Sequence, residues 1–141
     1  MSLSQLSAAQ QDQYWMRQAI QLAEQSLYLT SPNPRVGCVI VRDGEVLGQG
    51  CTQEAGSDHA EIQAIKDAIT RGKEHAMVGS TFYVTLEPCS HYGRTPPCVD
   101  AIMRCQPARV VIAMTDPNPL VGGQSIKKMR EVGIEVDNGV L

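Results

Sequence analysis

His59-Ala60-Glu61 and, further along, Cys89 and Cys98 put one imidazole, one carboxylate and two thiols into a chain of 141 residues. An imidazole and two thiolates are zinc ligands. A structural zinc closes all four positions with side chains, whereas a catalytic zinc has three protein ligands and leaves the fourth to water. Three ligands beside an uncommitted carboxylate therefore point to hydrolysis: Glu61 can carry protons while the metal activates water.

The spacing constrains where such a site can sit. Residues two apart in a helix interior point to different sides, but in a first turn His59 and Glu61 can both reach an ion lying beyond the helix end. Ser57-Asp58 offers an N-cap just before His59. Pro88 precedes Cys89, and Pro96-Pro97 precede Cys98, where proline suits a first helical turn. Free N–H groups and the dipole at helix starts favour thiolates. The same positive potential would offset the charge that two thiolates donate to the metal, keeping bound water near a pKa of ~7.

These residues need a scaffold, and the chain has the length for one domain, read as residues 1–141, with disorder open for residues 1–10. Apolar residues make up 43% and charged residues 19%, and no apolar run approaches the ~20 residues of a membrane span. Met1 to Gln13, rich in Ser and Gln, lacks the pattern of a secretory signal. Five cysteines are an odd number, which favours metal binding or burial over a disulfide framework and fits a reducing cytoplasm. A net charge of −3 argues against long DNA or RNA as a partner.

Apolar recurrence at Trp15, Ala19, Ile20, Leu22, Ala23 and Leu27 predicts a helix over Ser7 to Leu29, ended by Ser31-Pro32-Asn33-Pro34. Val36 to Val41, the turn Asp43-Gly44 and Glu45 to Gly50 read as a hairpin. Ala60, Ile62, Ala64, Ile65, Ala68 and Ile69 carry a second helix on to Gly72. Strands over Ser80 to Thr85, Arg109 to Met114 and Gly133 to Val136 then alternate with helices over Pro97 to about Cys105 and Gln124 to Val132. The expected fold is α/β, three-layered, with a central mixed sheet of about five strands between helices.

At these motifs the chain resembles the zinc-dependent cytidine-deaminase superfamily, whose pattern is H-x-E followed by P-C-x-x-C. Eight residues rather than two separate Cys89 from Cys98, and that insert, Ser90-His91-Tyr92-Gly93-Arg94-Thr95-Pro96-Pro97, is similar to the deaminase domain of bifunctional riboflavin-biosynthesis deaminase/reductases. The resemblance runs from about Gln11 to the end and includes Ser31 to Gly37 and Asp116-Pro117-Asn118-Pro119. It implies a cytidine-deaminase-like fold, Zn²⁺ on His59, Cys89 and Cys98, and Glu61 as proton shuttle. Asn33, His91, Arg94 and Thr95 are then expected at the substrate, a diaminopyrimidinone carrying ribosylamine phosphate, with Arg94 suited to the phosphate. It also implies a homo-oligomer and a reductase domain, fused or separate. One departure bears on substrate choice: Thr52 stands where relatives carry a pocket histidine.

Two other readings fit the same residues. One keeps the chemistry and changes the substrate to another nucleoside, a base or tRNA adenosine; the other is a non-catalytic zinc-stabilised partner domain, against which Glu61 speaks. Glu87 reads as orienting the cysteine loop or as an exposed carboxylate. Cys38, Cys51 and Cys105 read as small buried apolar residues, His75 as solvated, and Asp116 to Pro119 as a turn leaving a strand.

Overall fold

A computed structural model describes residues 2–25, 35–52, 59–90, 97–118 and 122–141. The first ordered turn is 3-10, at Leu3–Gln5, and helix α1 follows at Ala8–Glu24. Ser7 caps α1, accepting from the Gln10 N–H at 3.2 Å while the Gln10 side chain accepts from the Ser7 N–H at 3.0 Å. The expected extension from residue 26 to Leu29 lies outside the described residues.

The hairpin forms as its sequence requires. Strands β1 (Gly37–Arg42) and β2 (Glu45–Cys51) are joined by Asp43 and Gly44 at φ 52° and 77°, the left-handed pair that a two-residue hairpin turn demands. Helix α2 (Ala60–Thr70), strand β3 (Thr81–Leu86), helix α3 (Cys98–Arg104), strand β4 (Arg109–Met114), helix α4 (Gln124–Glu131) and strand β5 (Glu135–Asn138) complete the chain. The last strand starts two residues later than expected. Gly133, at φ 89°, is still closing α4, with its N–H on the Arg130 carbonyl and the Ile134 N–H on the Met129 carbonyl.

The sheet order is β2-β1-β3-β4-β5, with β1 antiparallel to both neighbours and β3, β4 and β5 parallel. Alternation along the strands divides the core in two. Cys38, Ile40, Phe82, Val84, Val110 and Ile112 face α2, α3 and α4; Val39, Val41, Tyr83 and Val111 face Trp15, Met16 and Ala19 of α1. The three-layer mixed α/β sheet expected from the sequence is the observed one.

The packing of α2 departs from its apolar pattern. Its buried stripe is Ala60, Ala64 and Ala68, while Ile62 and Ile65 are half-buried and Ile69 is 45% exposed. The cause lies on β2. A Cβ on Gly48 would stand 2.3 Å from the Ala64 carbonyl oxygen, and one on Gly50 would stand 2.6 Å from that of Ala60. The helix is seated backbone to backbone on two glycines, and only alanines fit the seam. Gly50→Ala is therefore expected to destabilise the fold by about 1–3 kcal/mol through overpacking and, because Ala60 opens α2, to weaken metal binding as well. Urea midpoints and metal titration check this, and an unchanged midpoint would contradict it.

Helix α1 is fastened from the other face by a charge cluster that its sequence does not announce. Asp12, 9% exposed, accepts a fork from Arg109 (2.9 and 2.7 Å) and the Tyr83 hydroxyl (2.8 Å), and Arg109 also reaches Asp137 and Glu135 on β5. Asp12 and Arg109 together thus tie α1 to β3, β4 and β5. Burial pushes the Asp12 carboxyl up, but Arg109 and Tyr83 outweigh it and hold it below the usual range. Its contribution is present above the unfolded value of about 4 and is lost as pH falls through the lower folded value. Asp12→Asn should lower stability by about 1–3 kcal/mol at pH 7, since Arg109 keeps two other carboxylates. The gap to wild type should shrink at pH 3, as read from denaturant midpoints at the two pH values.

Candidate active site

The site lies beyond the C-terminal end of β3, where α2 and α3 both begin. His59 is itself the N-cap residue of α2, extended at φ −68° and ψ 164°. This corrects the expected cap at Ser57-Asp58, which lies outside the described residues. The last non-helical residue, His59, is exposed, while Glu61 two residues on is buried at 4% exposure.

Cys89 follows Pro88 directly off β3, and Cys98 is the first residue of α3 after Pro97. Pro97 offers no side-chain cap, so Cys89 closes the helix end instead. Its sulfur accepts the Cys98 N–H at 3.1 Å and its carbonyl accepts the Val99 N–H at 3.2 Å. The His59 Nδ1 faces both sulfurs, 3.1 Å from Cys98 and 3.9 Å from Cys89. The three ligand atoms lie within 4.8 Å of one another. A tetrahedral zinc with bonds of about 2.0–2.3 Å separates its ligand atoms by roughly 3.5–3.8 Å. The two nitrogen–sulfur separations bracket that range, and the donor set is the nitrogen-sulfur one that zinc prefers.

The electrostatics favour one thiolate of the pair. The Cys89 thiol is pushed down to about 5, first by the hydrogen bond from the Cys98 thiol and then by the Cys98 N–H and His59, against burial. Cys98 moves up, because the pair shares one proton and Cys98 keeps it. Burial pushes Glu61 up to about 7, its backbone contact lowers it, the Cys89 thiolate raises it and His59 lowers it. A carboxyl balanced at neutral pH is suited both to accept and to return a proton.

Glu87 is not the exposed carboxylate of one reading but is buried at 6% exposure. Its Oε1 accepts the Asp116 and Gly123 N–H groups (3.0 and 2.9 Å), and its Oε2 accepts the Ser125 N–H and hydroxyl (3.2 and 2.8 Å). Burial alone would raise its pKa, but these donors outweigh it and the carboxyl stays below its ordinary value. The turn expected at Asp116 to Pro119 begins here, with the Asn118 N–H on Asp116 Oδ1 at 2.9 Å. Thr52 has its hydroxyl on Val36, accepting the N–H at 2.7 Å and donating to the carbonyl at 3.2 Å. It laces the open end of the hairpin shut. Cys38 is fully buried as expected, whereas Cys51 and Cys105 are only half-buried, and His75 is exposed. Asn33, His91, Arg94 and Thr95 lie outside the described residues.

Two helix starts, a ligand trio on a mixed α/β sheet and a buried carboxylate define a zinc-deaminase type of centre. Residues 9–114 match the family described as the cytidine and deoxycytidylate deaminase zinc-binding region, and the chain belongs to that family. Within it, the chain is 50% identical over 131 residues to the riboflavin biosynthesis protein RibD of Escherichia coli, covering 93% of this chain and 34% of that protein. It is 44% identical to the diaminohydroxyphosphoribosylamino-pyrimidine deaminase of Buchnera aphidicola, covering 92% of this chain and 85% of that one. Among solved structures, Acinetobacter baumannii RibD superposes with a TM-score of 0.89 at 50% identity, over 95% of this chain and 36% of that one. The chain thus spans about a third of the length of several curated relatives it matches.

Proposed function

We propose that this chain hydrolyses the ring amine of 2,5-diamino-6-(5-phosphoribosylamino)pyrimidin-4-one, giving 5-amino-6-(5-phosphoribosylamino)uracil and ammonia. The observation that carries the reading is Glu61, buried in the first turn of α2 beside the His59, Cys89 and Cys98 trio. The printed name of the Buchnera relative, of which the chain covers most, supports the substrate.

His59, Cys89 and Cys98 would hold the zinc, which when bound supplies the Lewis acidity that makes water a nucleophile near neutral pH. Glu61 takes one proton from the attacking water as the new carbon–oxygen bond forms. It passes that proton to the neighbouring ring nitrogen, which withdraws charge from the carbon under attack. It then moves the second proton to the amine, so that the carbon–nitrogen bond breaks with ammonia as the leaving group and the ring carbonyl is left behind. The helix starts at α2 and α3 hold the donors in place through these transfers. Arg94 is assigned to the phosphate, and Asn33, His91 and Thr95 to the rest of the substrate, on the family resemblance. We extend the reading to a homo-oligomer in the cytoplasm that works with a fused or separate reductase.

Ammonia release from the phosphoribosyl pyrimidine, cytidine, guanine and adenosine, each with and without chelator, tests the assignment. Chelator-sensitive turnover of the phosphoribosyl pyrimidine alone is expected. Preferred turnover of another amine would reject the substrate, and metal binding with no turnover of any would reject catalysis.

A further inference from the structure

The segment bearing Cys89 is held from both sides by a part of the chain that contributes no ligand. On its N-terminal side, the Glu87 carboxylate accepts four hydrogen bonds, all from residues 116–125. On its C-terminal side, the Ser90 hydroxyl donates to Gln124 Oε1 at 3.3 Å and the Ser90 carbonyl accepts from Lys128 Nζ at 3.0 Å. Both grips reach α4 or the segment that leads into it.

The chemistry of this junction is specific. Gly123, at φ 86°, is the N-cap residue of α4 and has no side chain to satisfy the free N–H groups there. Glu87 does so from across the fold, taking the N–H groups of Gly123 and Ser125 and so placing a negative charge at the positive end of the helix. All four of its partners are donors, so only a carboxylate satisfies the set; an amide would turn its own N–H groups on two of them. Gly122 is constrained as well, since a Cβ there would stand 2.7 Å from the Asp116 carbonyl oxygen. With Glu87 and Ser90 both anchored, the Cys89 sulfur between them has little freedom except along the direction that meets the Cys98 N–H and the His59 ring.

We propose that Glu87 is a positioning residue for the metal centre, capping α4 and thereby fixing the Cys89 sulfur, so that α4 sets how tightly the metal is held although it supplies no ligand. The inference rests on the metal-binding reading above and predicts metal retention rather than the chemical step. Groups that orient a ligand typically change metal affinity by about 10–100-fold when removed.

The test loads the full chain with cobalt(II) in place of zinc and follows two readouts, the sulfur-to-cobalt charge-transfer band and the rate of metal loss to excess chelator. Glu87→Gln should release cobalt about 10–100-fold faster than wild type and shift the band. Ser125→Ala, which removes one donor of the four and leaves the backbone donors, should show a smaller change in the same direction and keeps the test open if Glu87→Gln does not fold. Asp12→Asn, which loosens α1 on the opposite face of the sheet, should lower thermal stability while leaving band and release rate at wild-type values. Wild-type release rates and spectra in both Glu87→Gln and Ser125→Ala, or an equal effect from Asp12→Asn, would overturn the inference. A wild-type chain that takes up no cobalt would overturn the metal reading and this inference with it.

Discussion

Glu61→Gln is expected to cut ammonia release by about 10²–10⁴-fold, the range that a positioned acid–base group contributes, while the chain keeps its metal. The two halves of that result have separate causes. Glu61 is not among the three ligand atoms that converge, which are those of His59, Cys89 and Cys98, so its replacement leaves the coordinating set complete. The substitution keeps the size and shape of a side chain that is only 4% exposed, so the first turn of α2 has no cavity to collapse into. What it removes is the capacity to hold a proton and give it back. Turnover measured alongside metal content per chain decides the matter. Activity within a few-fold of wild type would remove Glu61 from the mechanism, and loss of metal together with activity would make it a structural support instead.

Cys98→Ala is expected to abolish metal-dependent turnover and to bring bound zinc close to none per chain. Cys98 is the sulfur nearest the His59 ring, at 3.1 Å, and it occupies the first position of α3 at 2% exposure. An imidazole and a single thiolate are left, and a catalytic zinc needs three protein ligands to be retained. The Cys98 N–H, being backbone, still donates to the Cys89 sulfur, so α3 should still start where it does and circular dichroism should change little. Cys98→Ser should behave almost alike, because a hydroxyl does not ionise as a thiol does near neutral pH. Metal analysis after gel filtration, with activity measured under added zinc, checks both variants. Full zinc occupancy in Cys98→Ala would mean that another group completes the site.

The metal ligands were legible because few residue types bind zinc, and Cys98 stands beside a proline-marked helix start. The elements were legible to within a few residues for a related reason: the turn Asp43-Gly44 and Pro97 before Cys98 act through their own backbone geometry. The seating of α2 was not. Its apolar pattern joined alanines and isoleucines alike, and only the approach of Gly48 and Gly50 from β2 makes the alanines the buried seam. The same holds for Glu87, whose loop-orienting and exposed readings differ solely in contacts made with Asp116, Gly123 and Ser125, and for Asp12, a lone acid in a helix until Arg109 and Tyr83 close on it.

Local chemistry and periodicity by themselves determined that this chain builds a mixed α/β domain, carries a three-ligand nitrogen-sulfur metal set and keeps one carboxylate in reserve, because each of those facts depends on residue types and near neighbours. Tertiary structure alone decided that His59 rather than Ser57 or Asp58 caps α2, that Glu61 is buried enough to sit near neutrality, and that α4 braces the Cys89 loop. Those depend on which backbones meet across the sheet, and a pairing such as that of Glu87 with Ser125 has no trace in the residues beside either partner.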